Sequence, residues 1–363
     1  MKIKLFAKYT LILTAIILIS CSEKFNINQF ETSNDKVNIT GDTVYVQIKP
    51  SWGGFNKPEA MIIGKEPFIY VADTYNNRIV MMNLNGDILG TREVKHPVAL
   101  AQDYLLNLIV CAEIDLKDST TGVKQTYGAV FKFHLVASSH HIEKAKVDTL
   151  LPRSIDISNP GRIYTGVATF FDNSFYIARQ GPNNSTFIDP DNSILIFKHK
   201  KRSDGTAFDT LIGRVANLDP LSSGIPSASL ISSITSFNRK NYNIILTLIG
   251  RSNFKTQWLK YVQSPEFTGY TVNLTPGQEA MMVPNRFSQP EGAALDNVGN
   301  IFVVDASKDS VFKFNTFGAE QQSFGGPDVF KEPYDVGFFD RTLYILDRGD
   351  NRIKMFILST DLR

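Results

Sequence analysis

PEAMIIGKEPFIYVADTYNNRIVMMNLNGDILG, residues 58–90, decides the fold, because its pattern returns at Pro290–Gly318 and again at Pro333–Leu358. Each copy sets a Pro before a short run of small and apolar residues. A turn, an apolar run ending in Asp, a tight loop and another strand-like run follow. The runs IYVAD (Ile69–Asp73), IFVVD (Ile301–Asp305) and LYILD (Leu343–Asp347) are continuously apolar and β-branched or aromatic, which predicts strands buried on both faces. The runs after them, RIVMMN from Arg78, SVFKFN from Ser310 and RIKMF from Arg352, alternate, which predicts one packed and one wetter face. A strand-rich unit of this length cannot bury its own faces, so repeats of it predict a radial array of small sheets, an all-β propeller.

The chain is similar to the NHL-repeat propellers at Asp73, Asn77, Arg78 and Ile79 of VADTYNNRI and at Asp347, Asn351, Arg352 and Ile353 of LDRGDNRI. The copy VDASKDSV keeps Asp305 but has Asp309 and Ser310 where Asn and Arg would stand. The resemblance covers three repeats and fades between Asp103 and Pro284. It implies the fold, and little about activity, because one superfold hosts many functions. An Asp that recurs from blade to blade is expected to cap loop amides, with Asp73–Arg78 and Asp347–Arg352 bracing their turns.

In chain order the repeats number six, about Pro58–Lys95, His96–Arg153, Gly161–Arg214, Ile225–Pro276, Pro290–Gly326 and Glu332–Leu358. The second and third share a final strand, VDTLLPR (Val147–Arg153) and FDTLIGR (Phe208–Arg214). The sixth ends without a fourth strand. TVYVQIKPSWGG (Thr43–Gly54) precedes the first unit as QQSFGG (Gln321–Gly326) precedes the sixth, so Thr43–Lys49 is expected to complete the last blade and close the ring. Closure removes a strand edge that would otherwise template aggregation.

Lys2, Lys4 and Lys8 precede the apolar run TLILTAIILI, and Ser20-Cys21 follows it, the build of a secretory leader over residues 1–20. LISC is similar to the bacterial lipobox, which implies a lipid on Cys21, a flexible tether over 21–40 and a propeller over 41–363. By the same resemblance, to lipoproteins of the Bacteroidetes, Ser-Glu-Lys after Cys21 implies the outer membrane, with the leaflet open. Without the leader's three lysines, 38 basic residues become 35 against 36 acidic ones, so the formal charge falls from +2 to −1. No basic stripe is left to argue for nucleic acid. Cys111, inside LLNLIVCAEI, reads as a buried free thiol.

In a propeller the loop entering each inner strand and the loop between its second and third strands open on one face. Lys57-Pro58-Glu59, His96-Pro97-Val98, Gln289-Pro290-Glu291 and Glu332-Pro333-Tyr334 enter inner strands, so Lys57, Glu59, His96, Gln289, Glu291, Glu332 and Tyr334 are candidates for a polar rim. Two expanded loops, Glu113–Tyr127 and Gln180–Ser193, are expected to raise a wall on that face. FIDPDNS (Phe187–Ser193) groups Asp189, Asp191 and Asn192, suited to a hard cation, although its spacing fits a self-satisfied turn better. Trp258, Tyr261, Phe267 and Tyr270 fit strand packing better than a sugar platform. Five histidines, of which only His96 enters an inner strand, make a three-imidazole zinc site a poor fit. A divalent cation held by carboxylates and one His stays open, and no cofactor is otherwise implied.

Two functions follow. The favoured one, since no catalytic set converges in the sequence, is a noncatalytic envelope module, lipid-anchored and holding a protein or glycan partner on its loop-rich face. The other is an enzyme similar to the NHL-like lyases and lactone hydrolases, with its site at the channel mouth. Perturbed carboxylates converging with His96 would favour chemistry, and a dispersed rim would favour binding.

Overall fold

The computed structural model describes residues 43–117, 122–237 and 239–362. The leader, Cys21 and the tether lie outside the described residues.

Six four-stranded antiparallel sheets surround a central channel. Their inner strands are Ala60–Ile63, Ala99–Gln102, Ile163–Thr169, Ile231–Ser236, Pro290–Leu295 and Pro333–Phe339, for blades 1 to 6. Each inner strand packs against the next around the ring, and the last packs against the first. The core is divided into six apolar seams, each between two adjacent blades. The seam of blades 6 and 1, for example, sets Tyr344 and Leu346 against Met61 and Val71.

Ring closure is as expected, with a longer strand. Tyr45–Trp52 pairs antiparallel with Arg352–Leu358, Tyr45 opposite Leu358 and Trp52 opposite Ile353, as the outermost strand of blade 6. The Tyr45 ring stacks on Phe324 at 5.2 Å and meets Phe302 edge-on at 5.9 Å. Burying a side chain of this size contributes roughly 1.5–3 kcal/mol, so Tyr45 and Trp52 clamp the closure as well as completing its hydrogen bonds.

Ile69–Asp73 and Ile301–Asp305 are buried at every position. The third strands differ from expectation. Arg78–Met82 is buried at all but Arg78, because this strand too lies between neighbouring blades. Alternation appears one strand further out, in Ile88–Glu93 and Glu320–Gly325, where one face meets solvent. Glu113–Tyr127 is also not mainly a loop. Strands Leu108–Lys117 and Lys124–His134 continue their pairing out to Lys117 opposite Lys124, so a β-ribbon stands there. Ile114, Leu116 and Tyr127 supply strand-forming side chains that the surrounding polar residues obscured.

The recurrent Asp residues lie at the turns. Asp73 accepts from Asn56 N (2.7 Å), Asn76 Nδ2 (2.8 Å) and Arg78 Nε (2.7 Å). Asp305 accepts from the amides of Ser288, Gln289 and Ser307. Asp347 accepts from the amides of Lys331 and Glu332, but its cation is Lys354 Nζ at 2.7 Å, not the expected Arg352. The reason is local: Lys354 occupies the place of Val80 in blade 1 and is buried, with Nζ also donating to Val329 O, while Arg352 stays exposed. Asn77 and Asn351 adopt left-handed backbone angles, φ 51° and 55°, which Asn tolerates better than most residues. Their side-chain oxygens accept the amides of His96 and Lys57, tying each turn to the entry of the next blade.

Candidate active site at the channel mouth

The inner strands enclose a channel of about 470 Å³, in the range that suits small molecules. Glu59, His96, Glu291 and Tyr334 line it. The other three rim candidates stand just behind. Gln289 Nε2 donates to Glu291 Oε1 at 2.6 Å, Glu332 binds Arg348 at 2.7 Å, and Lys57 Nζ lies 5.3 Å from the centre of the Tyr75 ring.

Arg348 was not among the candidates, yet it organises the mouth. Its guanidinium bridges Glu332 Oε1 at 2.7 Å and Glu59 Oε1 at 3.2 Å, and lies 5.1 Å from the Tyr334 ring centre. Its buried Nε finds no acceptor among the described residues. A signal for it exists in the repeat. The residue after the recurrent Asp is Thr74 in blade 1 and Ala306 in blade 5, and only blade 6 puts a charge there.

Glu291 is buried, at 6% exposure, and burial pushes its carboxyl up to about 7. Nearby Glu59 and Glu332 add to the rise, while the Gln289 amide and Arg348 oppose it. Burial also raises Glu59, against the pull of Arg348 and His96. Tyr334 is held well above the usual phenol range by burial and the carboxylates of Glu291 and Glu59, so it remains a donor. His96 lies 3.6 Å from Glu113 and 5.9 Å from the Tyr75 ring. The mouth therefore couples three glutamates to one guanidinium, with His96 at the edge.

The divalent-cation expectation does not fit this donor set. Among the described residues no three His, Cys, Asp or Glu side chains form a metal-holding group. Glu59 and Glu332, the carboxylates best placed to share an ion, already share Arg348. Asp189 and Asp191 are likewise engaged: Arg162 pairs with both, at 2.9 and 2.6 Å, and Arg179 pairs with Asp189 at 2.5 Å. Every histidine has a carboxylate beside it, Glu113, Asp148, Glu66, Glu143 or Asp209. Trp258 and Tyr270 are buried and packed on Phe237 and Tyr261. Cys111 is a buried free thiol whose acidity burial suppresses.

No family model and no curated protein matches this sequence. Solved structures do. The gluconolactonase from Xanthomonas campestris matches at TM-score 0.53 and 12% identity, over 88% of this chain and 90% of its own. The aldose sugar dehydrogenase from Streptomyces coelicolor, in its PQQ-bound form, matches at TM-score 0.55 and 12% identity, over 88% and 99%. A luciferin-regenerating enzyme matches at TM-score 0.52 and 10% identity, over 87% and 95%. At these identities the likeness is one of fold, and the chain is a six-bladed β-propeller resembling those of the NHL and lactonase type.

Proposed function

We propose that the channel mouth is an active site for acid–base chemistry on a small molecule, of the lactone-hydrolase or lyase kind. One observation carries the reading: a buried glutamate, Glu291, lines the channel beside an arginine that two further glutamates hold in place, and burial pushes its carboxyl up to about 7. A group that is about half protonated at neutral pH can both take and return a proton. In lactone opening, the Glu291 carboxylate takes a proton from water as the water oxygen bonds to the carbonyl carbon. The ring C–O bond then breaks, and the leaving alkoxide takes the proton back. Tyr334, which lines the channel, is the donor available to the oxyanion, and Arg348, held behind it by Glu59 and Glu332, adds positive charge. In an elimination the same carboxylate would remove a proton next to a carbonyl. The enzymatic names of the neighbours agree with this reading without carrying it, since fold does not imply function.

The test is a screen of simple lactones with the wild type and Glu291→Gln. The variant should lose about 10²–10⁴-fold in rate, and the wild-type rate should rise with pH through about 7, where Glu291 ionises. Turnover unchanged in Glu291→Gln would refute the assignment.

A partner-binding role has one observation in its favour. Phe187 and Ile188 are 91% and 85% exposed on the Gln180–Ser193 loop, an uncommon place for large apolar side chains unless something covers them. The proposed address is the outer membrane through a lipid on Cys21, with an envelope protein or glycan as the partner of this loop. Cys21→Ser should move the protein from the membrane fraction to the soluble one, and unchanged membrane retention would remove the anchor.

A further inference from the structure

The two halves of the channel mouth are chemically unlike. Blades 5, 6, 1 and 2 contribute Glu291, Tyr334 with Arg348 behind it, Glu59 and His96. In a ring of six, blades 3 and 4 stand across from blades 6 and 1. There the most exposed large apolar side chains of the lining are Ile163 and Ile249, at 45% and 36%, beside the hydroxyls of Thr165, Ser232, Ser233, Thr235 and Ser236. The backbone holds both in place. Ile163 pairs with Gln180 at the start of its strand, and Ile249 N donates to Leu230 O at 3.0 Å.

Most polar groups on this side already donate to the backbone: the hydroxyls of Thr165, Ser232, Thr235 and Ser236 bind the carbonyls of Ile231, Pro290, Ala293 and Thr169 at 2.6–2.7 Å. The Gln180 amide donates to Ile231 O at 2.8 Å and to Thr165 Oγ1 at 3.2 Å. Large apolar side chains facing an aqueous channel give up hydrophobic stabilisation unless a ligand covers them. A substrate whose whole surface was polar would leave them wet and would gain nothing from that half of the wall.

We infer, resting on the acid–base reading of the same mouth, that the substrate is a lactone or ester carrying an apolar arm. Its carbonyl end lies at Glu291 and Tyr334, and its arm crosses the mouth onto Ile163 and Ile249. The channel of about 470 Å³ has room for both. Specificity then comes from the arm, and reactivity from the opposite half.

The experiment uses the full-length protein with γ-butyrolactone, γ-hexalactone and γ-nonalactone, measuring binding by calorimetry and hydrolysis by proton release. Affinity should rise roughly twofold to fourfold per added methylene, the factor expected for apolar burial. The double variant Ile163→Asn/Ile249→Asn should flatten that slope, while Ile163→Leu should keep it. Both isoleucines are partly exposed, and a melting curve matching the wild type will establish that the double variant is folded. Should it not fold, Ile249→Ser alone should reduce the slope. Glu291→Gln should keep the binding slope and lose hydrolysis. Flat binding in the wild type, no binding of γ-nonalactone, or an undiminished slope in the folded double variant would each overturn the inference. The acid–base reading is judged separately: hydrolysis with a flat slope leaves it standing without the arm, and a steep slope without hydrolysis leaves the arm without the chemistry.

Discussion

Glu291 shows how far a single residue could be read before the fold was known. Gln289-Pro290-Glu291 marks an inner-strand entry, and that was enough to place the carboxyl at the rim. Its acidity was not readable, because it depends first on burial in the assembled ring and then on Glu59, Glu332 and Arg348 brought in from blades 1 and 6. Arg348 was missed for the same reason: a lone charge in a turn looks solvated until its two carboxylate partners are seen. The suppressed acidity carries a stability consequence. The folded carboxyl keeps its proton to about pH 7, whereas an unfolded one releases it near its ordinary 4.5. The folded state therefore binds more proton between these values, and stability from this group is present below about 4.5 and lost as pH rises through about 7. Denaturant melts of wild type and Glu291→Gln across that window should show the wild type losing ground to the variant as pH rises. Parallel curves would mean the carboxyl titrates normally.

At the scale of strands and turns, what was legible was what repeats. The second strands carry a continuous apolar run because each is enclosed by its own sheet and by two neighbouring blades, so their burial is written into every copy. Third-strand burial was harder to see. Lys354 looks like a solvent-facing residue in an alternating run, yet it is buried with its ammonium on Asp347 and Val329 O. A long aliphatic stem with a charged tip satisfies both surroundings, so polarity alone misleads at such positions. The ribbon that pairs Glu113 through Lys117 with Gly128 through Lys124 hid in the same way, behind polar residues. The closing strand was legible as a leftover that fits a vacancy. Deleting residues 45–52 should remove the Tyr45 and Trp52 contacts and expose the edge of Arg352–Leu358. We expect loss of the cooperative thermal transition together with aggregation. A sharp melt within a few degrees of wild type would show that the ring holds without that strand.

For the molecule as a whole, the seams make the six blades one cooperative unit. Lys132 of blade 2 illustrates this: 2% exposed, it lies 3.0 Å from Asp103 in its own blade and 2.8 Å from Asp209 in blade 3. Lys132→Met would leave two buried carboxylates without their cation, a loss of about 3–5 kcal/mol. Because that seam is continuous with the others around the ring, near- and far-ultraviolet circular dichroism should report a single transition displaced to lower temperature. Two separated transitions would mean that blades 2 and 3 unfold on their own. The channel chemistry is also a property of the whole, since Glu59, Glu291 and His96 come from one side of the ring and Ile163 and Ile249 from the other.

Ring closure has a consequence for the timing of synthesis. The hydrogen bond from Val44 N to Ser359 Oγ spans 315 positions, so the first described strand has no partner until Arg352–Leu358 has been made. Contacts of such separation form late and slowly. A growing chain thus keeps the Tyr45–Trp52 strand unpaired while the blades between are made, and the interval before closure is when that strand is most exposed to association with other chains.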